Sequence, residues 1–368
     1  MNIGVVVHGP GIIDSGYAIK ILKILDDFGN VTSILGGTMG RTAVIDANIE
    51  NIIDIKRKRL PSQSVNYLSK TNDLIVLLNY GKSNTTGYAF GYKVYNNALN
   101  GCLSLQIERP GQDDGKIIVW EKESYELAVK LSEILNMDIL NKDEVINFIE
   151  NQTGFHEENN IIHRKIAGVS SGENIMVNGV VIGHAIDDNL TIITDHDKII
   201  DIRGGVIKGH GIEKLGTVDI KTAIVKTGLL RKSKDVKPRI IKTNNIQGKL
   251  TAIFLDHIAE DIYQYNDCNV LVSIGDDTTL VASDILYRFN IPIIGITDGD
   301  LDKVVEVGFK MDESVIIQVD SGFDDIVGGL VYDKLFSNGK KININSISEL
   351  KDKILSIIDG ESINYNIK

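Results

Sequence analysis

Cysteine is nearly missing from this chain: Cys102 and Cys268 are the only two in 368 residues. Two thiols exclude a disulfide framework, and each stands beside an apolar run, so buried free thiols are expected. Proline is scarce as well, at five residues against abundant Ile, Asn and Lys, a bias that reads as codon usage rather than mechanism. An excess of basic residues is also absent. The formal charge of −11 excludes a nucleic-acid sheath or a binder of anionic membranes, because both need a basic face. No uninterrupted apolar segment is long enough to span a bilayer. The chain enters a strand at once, over Ile3–Val7, which argues against a signal peptide. A soluble cytoplasmic protein is therefore expected, with neither nucleic acid nor membrane as a partner. Metal-type histidine spacing is missing too. His156 and His163 fall in a polar linker and His184, His196 and His210 in a turn-rich β segment, with no i, i+4 pair or Cys/His cluster. Gly81-Lys82-Ser83 follows a strand, yet Val76 holds the position where a Walker A loop needs glycine. That leaves Lys82 as at most a looser anion contact.

What is present is apolar material in quantity. Hydrophobic residues make up 43% of the chain, ample for real cores, and the length suggests two or three domains. Strands alternate with helices across the first 150 residues: apolar runs at Asn2–Val7, Val31–Leu35 and Leu74–Asn79, with helical spacing over Tyr17–Phe28, Ala43–Asn48, Ser124–Asn136 and Lys142–Asn151. Leu103–Glu108 and Lys116–Trp120 bracket a turn-rich stretch and predict a β-hairpin. From Val169 to Leu230 short apolar runs alternate with turn signals, including Asn178-Gly179, a strong hairpin turn. This block reads as a small sandwich or partial barrel. Thr222–Arg231 predicts a helix leading out, and Lys232–Lys242 a basic linker. Thr251–Tyr265 predicts a helix with Phe254, Ile258, Ile262 and Tyr265 on one side. Strand Ser314–Val319 and helices Phe323–Phe336 and Ile347–Ile358 close the chain.

The stretch from Asn269 to Lys303 carries the strongest functional signal. Asn269–Ile274 is an apolar strand ended by Gly275. Asp276-Asp277-Thr278-Thr279 offers capping side chains before a helix over Leu280–Phe289. Pro292 stops that helix and Ile293–Ile296 forms the next buried strand. In a parallel βαβ unit both loops leave the carboxyl ends of adjacent strands, where open α/β sheets bind ligands. Asp276, Asp277, Asp298, Asp300 and Asp302 then face one crevice. Hard oxygens with Thr hydroxyls suit Mg²⁺ holding a phosphate. A second candidate is Gly36–Thr42, where Gly36, Gly37 and Gly40 let the backbone approach a ligand and Arg41 clamps its anionic group. If the strands are neighbours, His8, Arg41 and Lys82 converge on one sheet edge.

Resemblances arise at these residues. SIGDDTTL followed by IPIIGITDGDL resembles the GGDGT loop and the PxxGxNxG strand of NAD kinases and diacylglycerol kinases. Gly275, Asp277 and Thr279 fall on its Gly, Asp and Thr, while Asp276 and Thr278 replace two loop glycines. Asp298-Gly299-Asp300-Leu301-Asp302 resembles the acidic loop of thiamine-pyrophosphokinase-like enzymes, and also the DxD of Toprim nucleases. Five segments in order, IGVVVHGPGIIDSG, LGGTMGRTAVIDA, ENIMVNGVVIGHA, IRGGVIKGHGIEKL and VSIGDDTTLVASDIL, resemble a family of uncharacterised proteins of methanogenic archaea. That resemblance implies an archaeal cytoplasmic protein and brings no activity with it.

The expected fold is α/β: two Rossmann-like α/β domains with mostly parallel sheets, over 1–151 and 243–368, and a small β-rich domain over 166–231 between them. The leading functional reading is binding of a phosphorylated small molecule, a nucleotide or coenzyme. Gly275, Asp276, Thr278 and Thr279 would hold it, with His8, Gly36, Gly37, Gly40 and Arg41 as a second site or the other half of one cleft. Asp298, Asp300 and Asp302 are the candidate Mg²⁺ ligands. As an enzyme it would be a kinase-like or pyrophosphokinase-like transferase, with Asp277 as base or metal ligand and Thr279 on phosphate. The rival reading is a non-catalytic sensor or interaction scaffold of an archaeal complex. A homo-oligomer is compatible with either.

Overall fold

The computed structural model describes all residues except 39, 58, 153–154, 229–237, 242–248, 257–261, 266–267, 300–310, 312 and 338, with side chains omitted at 150–152 and 264. Asp300, Asp302, His257 and most of the Lys232–Lys242 linker thus lie outside the described residues. The chain divides into two compact units, Met1–Lys237 and Pro238–Lys368.

The first unit contains a seven-stranded sheet of β1 (Asn2–His8), β2 (Asn30–Gly36), β3 (Ile53–Asp54), β4 (Leu74–Asn79), β5 (Leu105–Glu108), β6 (Lys116–Val119) and β7 (Asp138–Asn141). Their order is β3-β2-β1-β4-β5-β6-β7. Every pair is parallel except β5–β6, the expected hairpin. The connections hold α1 (Gly11–Asp14), α2 (Tyr17–Asp26), α3 (Arg41–Asp46), α4 (Pro61–Leu68), α5 (Asn84–Asn97), α6 (Tyr125–Leu135) and α7 (Lys142–Gln152). Successive strand residues face opposite ways. Val5 and Val7 therefore enter one core with Ile21, Val44 and Leu131, while Val6 and Leu77 enter another with Val65, Tyr88 and Val145. Burial on both faces is why these strands read as unbroken apolar runs.

The same unit continues into β8 (Phe155–Glu158), β9 (Ile161–Ile166), β10 (Asn174–Val177), β11 (Val180–Ala185), β12 (Leu190–Asp195), β13 (Lys198–Arg203), β14 (Gly205–Ile207), α8 (Gly209–Leu215) and β15 (Val225–Thr227). They form two antiparallel four-stranded sheets, β14-β11-β10-β15 and β13-β12-β9-β8, that share a core through Ile175, Ile182, Ile192 and Ile202. Asn178 (φ 50) and Gly179 (φ 88) make the β10–β11 turn, as the sequence predicts. Two expectations fail here. Val225–Thr227 pairs with β10 as a strand instead of joining a helix over Thr222–Arg231, of which 229–231 lie outside the described residues. Its alternating Val225-Lys226-Thr227 suits a half-buried edge better than a helix. His156 and His163 are not in a linker but opposite each other on β8 and β9, with ring centroids 5.9 Å apart.

The second unit is a six-stranded sheet of β16 (Leu250–Leu255), β17 (Val270–Ile274), β18 (Ile293–Thr297), β19 (Val315–Val319), β20 (Lys341–Ile344) and β21 (Tyr365–Ile367). The order is β20-β16-β17-β18-β19-β21, parallel in the middle and antiparallel at both edges. Helices α10 (Asp324–Phe336) and α11 (Ile347–Gly360) cover one face through Val327, Val331, Leu350 and Ile354. They follow α9 (Asp276–Leu286), in which Leu280, Ala282 and Leu286 are buried. The predicted helix over Thr251–Tyr265 is overturned in its first half, where Leu250–Leu255 is a strand; 257–261 lie outside the described residues, and Ile262–Tyr265 forms a short 3-10 turn. The apolar run of that strand is buried on both faces, and such a run carries no period to tell strand from helix. Helix α9 also starts earlier than expected. Gly275 is its N-cap, so Asp276–Thr279 form the first turn rather than precede it.

Candidate functional site

In the second unit three loops leave the carboxyl ends of β17, β18 and β19. Gly275 ends β17 in a left-handed conformation (φ 87) that suits glycine, and Asp276 opens α9 almost fully buried, 5% exposed. Asp298 follows β18, and Asp324 opens α10 beyond β19. One carboxylate oxygen from each of Asp276, Asp298 and Asp324 lies within 4.8 Å of the others. Backbone N–H groups orient all three. Gly299 donates to Asp276 Oδ2 (3.2 Å), Gly322 to Asp298 Oδ2 (2.8 Å) and Asp325 to Asp324 Oδ1 (2.9 Å). Gly299 is left-handed (φ 73), and a Cβ there would run into the Gln318 side chain.

Helix first turns favour the charges of Asp276 and Asp324 by about 0.3–1 kcal/mol each. Like charges no more than 4.8 Å apart repel by roughly 3.5 kcal/mol or more at an effective dielectric of about 20, before any partner is counted. The trio is a set of converging hard oxygen donors, the kind that Mg²⁺ takes. Asp277, the second residue of α9, is half-buried and is not one of the three. Thr278 is buried. Thr279 is fully buried, its hydroxyl 2.8 Å from Ser273 Oγ and its methyl against Gly295, where it joins α9 to β17 and β18.

The first unit has its own polar edge. His8, Asn79 and Glu108 end β1, β4 and β5 as register partners across three adjacent strands. His8 Nδ1 lies 2.8 Å from Asn79 Oδ1, and Asn79 Nδ2 donates to Glu108 Oε2 at 2.7 Å. Glu108 also accepts from Gln106 Nε2 (2.7 Å) and from the Gly81 N–H (2.6 Å). The His8 ring stacks on Phe90 with centroids 3.9 Å apart. Burial depresses the His8 pKa to about 4 in spite of the Asn79 bond, and the charge of Lys226 lowers it further. Burial raises that of Glu108, opposed by its N–H donors and by Arg109. Gly36 pairs with His8 across β2, and Gly37 (φ 82) stands beside the imidazole. A Cβ at Gly40 would press on the Gly9 carbonyl, so the loops after β1 and β2 touch, with Arg41 buried next in line.

Lys82 leaves the same carboxyl edge, since β2, β1 and β4 are neighbours, but its ammonium is taken up by the β-rich segment. Its three ammonium protons go to Glu173 Oε2 (2.6 Å), Thr227 O (2.9 Å) and Thr227 Oγ1 (2.8 Å), tying the sheet edge to the β-rich segment. Burial alone would raise the Glu173 pKa; Lys82, the Ser170 N–H and the Thr227 hydroxyl outweigh it and hold the pKa below the usual carboxylate range.

The model of a family described as uncharacterized proteins conserved in archaea (DUF2117) matches residues 5–339. The chain belongs to that family. It is 41% identical over 371 residues to the uncharacterized protein MJ0065 of Methanocaldococcus jannaschii, with 99% of each chain covered. No solved structure matches the chain. The archaeal family read from five ordered segments is therefore the right one. The family match spans both polar edges, from His8 to Asp324.

Three residues of these edges escaped the sequence reading. Asp324 stands in Gly322-Phe323-Asp324-Asp325, just beyond β19, and the carboxyl-end rule applied to that third strand would have found it. Asn79 and Glu108 each close a short strand with a polar side chain after apolar residues, in LIVLLN and LQIE. Only the strand order brings them together.

Proposed function

We propose that the second unit of this archaeal family binds a divalent cation between Asp276, Asp298 and Asp324, and through it the phosphate of a small phosphorylated compound. The observation that carries this reading is the convergence of three oriented carboxylates from the loops after three adjacent parallel strands. Mg²⁺ keeps several waters and takes few carboxylates, so open coordination positions remain for phosphate oxygens. Nucleotides and coenzymes are the ligand class, because the crevice outside the carboxyl ends of an open α/β sheet is where such compounds sit. Where turnover follows, it is phosphoryl or nucleotidyl transfer, with the cation neutralising developing charge and Asp277, the next residue of α9 after Asp276, as base.

A thermal-shift series against nucleotides and coenzymes, each with and without Mg²⁺, tests this. A ligand at a hundredfold excess over its dissociation constant adds roughly 2.7 kcal/mol. The shift is expected to need Mg²⁺ and to vanish in Asp298→Asn and Asp324→Asn. A shift that survives both substitutions, or the absence of any Mg²⁺-dependent shift, overturns the reading.

A further inference from the structure

The seven-stranded sheet reverses its order between β1 and β4, since β2 and β3 lie on one side of that pair and β5 to β7 on the other. A crevice forms outside the carboxyl ends at such a reversal. His8 and Asn79 are the residues that end those two strands. Their hydrogen bonds fix a protonation state. Asn79 turns its NH₂ to the Glu108 carboxylate, so its carbonyl faces His8 and accepts a hydrogen bond from Nδ1–H. A neutral imidazole with Nδ1–H keeps a bare lone pair on Nε2. That nitrogen borders Gly37, where a built Cβ would stand 3.9 Å away, so the glycine leaves the lone pair uncovered by any side chain at that position.

The chain behind the imidazole is costly to build. Glu108 and Gln106 are 0% exposed and Asn79 4%, and buried polar groups destabilise unless fully partnered. Helix α5 carries Gly87 and Gly91 in its interior, each against the flexibility cost of a helical glycine. A Cβ at Gly87 would run into the Glu108 carboxylate and one at Gly91 into the Gln106 amide. Arg109, left-handed at φ 50, donates to the Gly81 carbonyl and so fixes the loop after β4. On the β-rich side, Lys226 of β15 directly precedes Thr227, whose carbonyl and hydroxyl accept from Lys82 in the loop after β4, so its charge is held at this edge, where it lowers the His8 pKa.

We propose that this crevice is a ligand site of its own, in which His8 Nε2 accepts a hydrogen bond from a hydroxyl of a small anion whose charge faces Lys226. The chemical class is a hydroxyl-bearing acid. Asn79 and Glu108 are positioning residues: they hold the tautomer and do not touch the ligand.

Long-range ¹H–¹⁵N correlation spectra of the full-length protein read the His8 ring directly, with its signals assigned by their loss in His8→Phe. The Nδ1–H tautomer is expected at neutral pH, moving toward Nε2–H in Asn79→Leu. Glycolate and acetate, which differ by one hydroxyl, are the probes. Glycolate is expected to shift the His8 Nε2 and Gly37 amide signals, and acetate to bind about tenfold more weakly, the worth of one hydrogen bond. Lys226→Gln weakens both acids and keeps the preference, whereas His8→Phe abolishes the preference. An Nε2–H tautomer in the free protein, equal binding of the two acids, or silence of His8 and Gly37 toward both would each overturn the proposal.

Discussion

Glu173 is 4% exposed, and its carboxylate is kept charged by Lys82, whose side chain is 43% exposed. Its folded pKa is below the unfolded value, so the stability it contributes is present above about pH 4.5 and is lost as pH falls through the folded pKa. Water around Lys82 screens the pair, which sets the effect of Glu173→Gln at about 1–2 kcal/mol at neutral pH. Acid unfolding curves should show wild type and variant converging below that pH. His8 acts on the same limb. Its folded pKa of about 4 lies below the ordinary 6.5, so its contribution is complete above pH 6.5 and declines between 6.5 and 4. His8→Phe, which keeps a ring against Phe90, should flatten the stability curve in that window. At this scale the sequence was informative about single residues at strand ends, such as Gly275 and His8. It could not give the partners of Lys82, because Glu173 and Thr227 stand 91 and 145 residues away.

Among the elements, helix α5 makes the most specific demand. Gly87→Ala would in an ordinary helix add up to about 1 kcal/mol. Here the new methyl meets a buried carboxylate, and overpacking reverses the sign to a loss of about 1–3 kcal/mol. Gly329 of α10 is the control. It is exposed with nothing near its missing Cβ, so Gly329→Ala should stabilise by about 0.5–1 kcal/mol. Urea unfolding of the two variants checks both signs. The elements themselves were largely readable where helical spacing or turn chemistry marked them: α6, α11 and the Asn178-Gly179 hairpin follow directly from pattern. Leu250–Leu255 was not, since both faces of that strand are buried and Phe254 fits either period. The edge strands Lys341–Ile344 and Tyr365–Ile367 are short and polar on one side, and their pairing is decided by β16 and β19 rather than by local sequence.

Across the molecule, each compact unit places polar side chains at the carboxyl edge of a parallel sheet, and the two edges differ in chemistry. The first carries a neutral imidazole backed by a buried amide and carboxylate, the second three converging carboxylates. Such a division of chemistry depends on strand order, which composition and periodicity do not encode: Asp298 and Asp324 meet only because β18 and β19 are neighbours. The central claim is the cation at that meeting point. Titration of the full-length protein with Mn²⁺, read as loss of the free-ion electron paramagnetic resonance signal, tests it without any assumption about the phosphorylated ligand. The account predicts saturable binding that Mg²⁺ displaces and that the double substitution Asp298→Asn, Asp324→Asn abolishes while the fold persists. Binding that the double variant retains undiminished, or no binding by the intact protein, would contradict it.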